Sequence, residues 1–312
     1  MTTKTRQPRG ITGVRLGYIP PGSDEWRKYM TASKIAAVMG HSPYESRFSL
    51  WHTMAGTVPP KPQTEEMSRG NLLEPAICAW WQDQHPDVKL YRTGMYRHPN
   101  IDFAAATPDR IIRYGTGEEP RLLEAKTANN AWEWGAEGTD EIPPYYYDQV
   151  IWQLGVTGLT TCHVAVLLSS LTFREYEVAF NADYFAEMVT EATEFMRQVR
   201  AGEKPSIDPL DGHMDTYRAV RYLHPDIEIE TVEVPQSLAM QVQCAVIDKE
   251  RNDKEMNALK SQLTELMGTA KDAEFNGVKV ARRQAKGDGN PYIIIQPGLK
   301  RAELILEEDT AA

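Results

Sequence analysis

Thr107-Pro108-Asp109-Arg110-Ile111-Ile112-Arg113-Tyr114, the turn-rich run Gly115-Thr116-Gly117-Glu118-Glu119-Pro120, and then Arg121-Leu122-Leu123-Glu124-Ala125-Lys126-Thr127 form the stretch that decides the fold. The apolar Arg110–Tyr114 segment reads as a strand, the Gly/Pro-rich run as a tight reversal, and residues 121–127 as a second strand. Side chains alternate across a strand, so Glu124 and Lys126 share a face. The hairpin then brings Asp109 beside both. Two carboxylates and a lysine at strand ends suit a hard divalent cation and an activated water.

Working outward, Phe103-Ala104-Ala105-Ala106 is extended and leads into Asp109, and strands are expected around 88–97 and 101–107. Upstream, a helix is expected over Ser33–Met39, with Thr31 or Ser33 as its cap and Gly40 as its stop. Residues 47–55 read as another helix. Glu65–Gln84 is strongly helical, with Leu73, Ile77, Trp80 and Trp81 as its apolar stripe. Downstream come a helix from Tyr145 to Val156, strands at 163–168 and 173–178, and a closing helix from Tyr184 to Arg200. Gly202 and Pro205 mark a boundary. The expected organisation is a flexible arm at 1–10, a core domain at 11–205, and an appendage at 206–312. In the appendage, a short helix covers Asp211–Tyr222. The positions Leu238, Val242, Ala245, Met256, Leu259, Leu263 and Leu266 then follow a three–four spacing, with Lys249 and Asn252 in the same series. This predicts a long amphipathic helix, readable as a coiled-coil seam with a polar break. Asn276-Gly277 announces a small hairpin or sheet.

Composition sets bounds on function. The chain has 312 residues, 41% hydrophobic and 25% charged, ordinary for a globular protein with a sizeable core. No apolar run approaches a membrane span, and the polar, basic first ten residues lack the apolar stretch of a secretory signal. Three widely spaced cysteines, Cys78, Cys162 and Cys244, argue against zinc or iron–sulfur and for a reduced, cytosolic setting. The net charge of −10 argues mildly against nucleic acid, and residues 1–200 and 201–312 carry balances of −4 and −6. A local basic groove remains compatible with that spread.

Thr107-Pro108-Asp109 followed by Leu123-Glu124-Ala125-Lys126 resembles the PD-(D/E)XK nuclease motif. Trp26-Arg27 with Thr31-Ala32-Ser33, Arg69-Gly70-Asn71-Leu72-Leu73-Glu74-Pro75, and Tyr146-Tyr147-Asp148-Gln149 before Gly155-Val156-Thr157-Gly158 narrow the resemblance to the lambda-exonuclease or YqaJ viral recombinase branch, over roughly residues 24–200. The resemblance implies an α/β fold, with a restriction-endonuclease-like mixed sheet flanked by helices. It implies a Mg²⁺-dependent 5′-to-3′ exonuclease, with Mn²⁺ able to substitute, that leaves 3′ overhangs on linear double-stranded DNA for strand-annealing recombination in a bacterial cytoplasm. Asp109 and Glu124, with the backbone carbonyl of Ala125, would hold one cation, and Asp109 with Glu74 a second. Lys126 would orient or deprotonate the water, and Gln149 would help to hold it. Ser33 with Arg27 or Lys28 would take the 5′ phosphate, near Tyr146. Implied partners are a single-strand annealing protein and further copies of the chain in a trimeric or tetrameric ring.

Plainer readings stand beside these. Asp109 alone also reads as a turn aspartate, Glu124 and Lys126 as a structural ion pair, Lys126 as an edge-strand lysine, and Glu74 as a first-turn glutamate favoured by the helix dipole. Gln149 also reads as an exposed helix glutamine, with Gln153 one turn along, and Ser33 as a simple cap. The seven histidines show no ligand spacing. The aromatics Tyr145–Tyr147, Trp132, Trp134 and Trp152 read first as core and second as base-stacking or strand-separating groups. Another nuclease of the superfamily, acting internally on DNA, and a non-catalytic protein that binds DNA ends are the competing functions.

Overall fold

The computed structural model describes residues 10–115, 117–129, 131–287, 289–296 and 299; the expected arm at 1–10 lies almost wholly outside them. In chain order the elements are β1 (Val14–Gly17), α1 (Asp24–Arg27), β2 (Met30–Thr31), α2 (Ile35–Met39), α3 (Arg47–Met54), α4 (Glu65–Gln84), β3 (Lys89–Tyr91), β4 (Met95–Arg97), β5 (Ala104–Ala106), β6 (Arg110–Arg113) and β7 (Arg121–Ala128). They continue with α5 (Pro144–Thr157), β8 (Thr161–Leu168), β9 (Phe173–Ala179), α6 (Ala182–Ala201), α7 (Met214–Leu223), α8 (Gln236–Met267), β10 (Asp272–Phe275), β11 (Val278–Lys286) and β12 (Gly289–Ile295).

The expected hairpin is β6–β7, antiparallel, with Arg110 opposite Leu123. It forms the centre of a five-stranded mixed sheet ordered β3-β6-β7-β8-β9. β7 and β8 run parallel, joined through α5, the crossover a parallel pair requires. Strand alternation sorts the β7 side chains. Leu123 and Ala125 join a cluster with Ile77, Cys78 and Trp81 of α4, while Leu122 joins the main core with Val150, Ile151 and Leu154 of α5. Glu124 and Lys126, two and four residues after Leu122, therefore face α5. This α/β core, helices on both faces of a mixed sheet, is the architecture expected.

The expected strand around 101–107 is β5, which lies apart from the hairpin in a separate four-stranded sheet ordered β1-β4-β5-β2. Pro108 removes an N–H from the connection to β6, so one continuous ladder is blocked there. Helix α2 begins at Ile35 with Lys34 as its N-cap residue and no side-chain cap bond, so neither Thr31 nor Ser33 caps it. Its stop is as expected, Gly40 taking φ 80°.

The chain divides at Ile227/Glu228 and not at 205. Helix α7 belongs to the first unit because Ala219 packs with Phe48 and Val58. Polar ties reinforce it: Lys61 to Asp215 at 2.9 Å and His213 Nε2 to the Ser42 carbonyl at 2.9 Å. The second unit comprises α8 and an antiparallel sheet ordered β10-β11-β12, with the turn at Asn276 (φ 46°) and Gly277 (φ 78°). Among the described residues no helix is long and apolar enough to cross a membrane.

Candidate active site

Glu124 is 2% exposed, on the α5 face of β7. Its Oε1 accepts from Lys126 Nζ at 2.6 Å, and Gln149 Nε2 donates to the same oxygen. Gln149 Oε1 in turn accepts from Lys126 Nζ at 3.0 Å. Gln153, one helical turn further along α5 and 1% exposed, donates to Glu124 Oε2 at 2.9 Å. Lys126 Nζ also lies 4.7 Å from the centroid of the Tyr146 ring. Burial would push the Lys126 ammonium down, but Glu124, Tyr146 and Asp109 outweigh it and hold it above its ordinary value.

Asp109 joins this group through the backbone. Its Oδ2 accepts from the Ala125 N–H at 2.8 Å, just where β6 ends and leaves β7 without a ladder partner. A strand residue points its N–H and C=O to the same side, so the Ala125 carbonyl lies on the Asp109 edge as well. Burial first, and the charge of Glu124 second, push the Asp109 carboxyl well above its usual range despite Lys126 and the Ala125 amide. A buried carboxyl whose proton affinity is raised by a neighbouring carboxylate is what a divalent cation relieves. The donor set of Asp109, Glu124 and the Ala125 carbonyl is all oxygen and fits Mg²⁺. Among the described residues, no three His, Cys, Asp or Glu side chains converge into a ready-made metal cage.

Glu74 sits deep within α4, which starts at Glu65, so the first-turn reading does not hold. Its Oε1 accepts from Arg110 Nη1 at 2.6 Å, and the same nitrogen donates to the Asp109 carbonyl at 2.6 Å. Glu74 is thus tied to the Asp109 segment through arginine, and its charge adds to the upward push on the Asp109 carboxyl.

The expected phosphate pocket is less assembled. Arg27 pairs with Asp24 within the short helix α1 and Lys28, its C-cap, pairs with Glu25; among the described residues neither is hydrogen-bonded to Ser33. Ser33 is exposed and its hydroxyl lies 3.2 Å from that of Thr31. The neighbouring cation that the sequence did not single out is Lys34. It is 3% exposed, with Nζ 3.4 Å from the Trp26 ring centroid and donating to the Tyr29 carbonyl at 2.8 Å. Burial lowers its ammonium to about 7, against an opposing pull from Glu45.

Beside the catalytic-type cluster runs a cleft of about 830 Å³, lined by Tyr44, Lys61, Arg69, Trp134, Tyr145 and Tyr146 among others. Trp152 is wholly buried and donates to the Ala105 carbonyl at 3.1 Å, and Trp134 is 6% exposed, so both serve the core. Sequence reasoning also passed over His41. Its Nδ1 meets Asp148 Oδ2 at 2.9 Å, while Tyr184 donates to Asp148 Oδ1 at 2.6 Å. Asp148 is 1% exposed, and its position next to Gln149 was the only available signal.

Residues 24–160 match the profile of the YqaJ-like viral recombinase domain. The uncharacterized protein YqaJ of Bacillus subtilis strain 168 is 29% identical over 274 residues, spanning 84% of this chain and 79% of that protein. Among solved structures, an alkaline exonuclease from Laribacter hongkongensis is similar over 58% of this chain and 94% of its own, at 22% identity and a TM-score of 0.46. A phage-related exonuclease from Haemophilus somnus 129PT is similar over 56% and 96%, at 12% identity and a TM-score of 0.38. The segment similar to that domain contains Glu74, Asp109, Glu124, Lys126 and Gln149.

Proposed function

We propose that this chain is a metal-dependent deoxyribonuclease that digests one strand of linear duplex DNA from its 5′ end and leaves a 3′ overhang. The observation that carries this reading is the junction at the end of β6. There Asp109 is fixed on the Ala125 amide while Glu124, Lys126 and Gln149 form one hydrogen-bonded group on the adjacent face. A bound Mg²⁺ would supply a lowered water pKa and neutralisation of phosphate charge. Asp109, Glu124 and the Ala125 carbonyl would hold it, and Glu74 would take part in a second site once Arg110 turns toward DNA phosphate.

The chain's own groups account for the rest. Lys126, kept protonated by Glu124, is placed to orient the attacking water and to offset charge building on the scissile phosphate. Gln149 bridges Lys126 and Glu124 and so fixes the direction of both. The Tyr44/Tyr145/Tyr146 side of the cleft offers ring faces for unpaired bases, with Lys61 and Arg69 for phosphates. Ser33, with Arg27 or Lys28 released from its acidic neighbour, would receive the 5′ phosphate. Delivery of the overhang to a single-strand annealing protein and a ring of three or four copies around DNA follow from the same family reading.

A pair of substrates tests it: a 5′-phosphorylated linear duplex and a covalently closed circle of the same sequence, each with Mg²⁺. The reading expects steady nucleotide release from the linear duplex and an untouched circle. Nicking of the circle would favour an endonuclease, and binding of the linear duplex without turnover in Mg²⁺ or Mn²⁺ would favour a DNA-end-binding protein.

A further inference from the structure

Helix α8 runs 32 residues, about 48 Å at the usual rise, and only its final Met267 is buried. Leu238, Val242, Val246, Met256, Leu259 and Leu266 stand 39–83% exposed. A helix with so much bare apolar surface needs a partner along its length. The spacing says what kind. The series from Leu238 through Val242 and Ala245 to Leu259, Leu263 and Leu266 alternates steps of four and three over four heptads. That period of 3.5 is the seam of a left-handed coiled coil. Its two polar members, Lys249 and Asn252, fall together at the middle.

We propose that α8 pairs with α8 of a second copy of this chain, antiparallel, about a two-fold axis passing beside residues 250 and 251. In an antiparallel pair each a position faces a d position, whereas a parallel pair stacks identical positions. Parallel pairing would set Lys249 on the partner's Lys249. Antiparallel pairing sets Lys249 on the partner's Asn252, and the other layers between Leu238 and Leu263 are apolar on apolar. Val242 meets the partner's Leu259, Leu238 the partner's Leu263, and the small Ala245 the large Met256 of the partner subunit. A slip of one heptad in either direction would put Lys249 against the partner's Leu259 or the partner's Ala245, so the polar layer fixes the register. Lys249 carries its own counter-charge, Asp253 at 2.8 Å in the same helix. Asp248 and the partner's Glu255 face each other across the flank, with Asp248 already paired to Arg251 at 2.9 Å. This self-complementarity argues for a second copy of the same helix, since an unrelated partner has no need of a centred polar layer. The inference goes beyond the nuclease reading and does not depend on it.

The test uses the full chain with Cys244→Ser; Cys78 and Cys162 are buried. Light scattering should give an even number of copies, two rings joined through α8 where the ring holds three, and Leu259→Glu or Val242→Glu should halve the mass while circular dichroism stays helical. Orientation is read by oxidation. Val242→Cys or Leu259→Cys alone should form no covalent dimer, and co-expression of the two variants should form one. A monomeric wild type, as expected if another protein covers α8, would overturn the proposal. So would an unchanged mass in both glutamate variants, or single cysteine variants that cross-link to themselves, as a parallel pair would.

Discussion

At the scale of single residues, the site rests on the way Glu124 is held. Gln153 Nε2 donates to its second oxygen inside the core. Gln153→Leu removes that donor and leaves a buried carboxylate oxygen without a partner, worth about 1–3 kcal/mol. DNA cleavage should slow by roughly 10-fold or more with the fold retained; an unchanged rate would show that Gln153 does not position Glu124. A second residue-scale prediction concerns Glu175, which joins His163 Nδ1 at 2.7 Å and His85 Nε2 at 2.9 Å. Burial opposes its charge, but the two histidines hold its carboxyl at about 2, below the ordinary 4.5. A depressed carboxylate stabilises the folded state fully above its unfolded pKa, and that share is lost as pH falls from about 4.5 through about 2. Glu175→Gln should therefore cost on the order of 2 kcal/mol near neutral pH, with the gap to wild type closing in strong acid. Urea melts at pH 7 and pH 3 check this, and a gap that widens in acid would contradict it. Of these residues the sequence exposed Asp109, Glu124 and Lys126, because their spacing in a hairpin is a local property. It left Gln153 undecided and passed over Lys34, His41 and Asp148, whose partners lie on other elements.

At the scale of elements, strand alternation on β7 and helical spacing on α5 together bring Glu124, Lys126, Gln149 and Gln153 to one interface. The approach of α5 to α6 is correspondingly tight. A Cβ at Gly155 would stand 2.2 Å from the Phe185 ring, which is itself packed on Trp152 and Phe180. Gly155→Ala should lower stability by about 1–3 kcal/mol, overpacking outweighing the gain in helix propensity. A thermal melt that shows no loss would mean that Phe185 has room to turn. Most elements were legible because their periodicity is strong, the hairpin and α4 above all. The pairing of β5 with β2 and β4 was not, since Ala104-Ala105-Ala106 carries no sign of which sheet it joins. The start of α2 was misjudged because hydroxyl residues precede it, yet Lys34 occupies the cap position.

At the scale of the whole molecule, the first unit ends with α7. A chain stopped after residue 205 loses the packing of Ala219 on Phe48 and Val58 and the hydrogen bond between the Thr216 and Ser46 hydroxyls. It should melt several degrees below a chain stopped after residue 227; equal melting would make α7 a passenger. The Gly202/Pro205 signal is real punctuation, but it separates two helices of one unit and not two units. The proposed nuclease centre is the junction of β6 and β7. The most direct measurement is the rate of nucleotide release from a 5′-phosphorylated linear duplex in Mg²⁺, for wild type and for Asp109→Ala and Lys126→Ala, each shown to be folded. Wild type should turn over the duplex and lose that activity in EDTA, and the variants should be slower by roughly 100-fold or more. Variants that degrade the duplex as fast as wild type would contradict it.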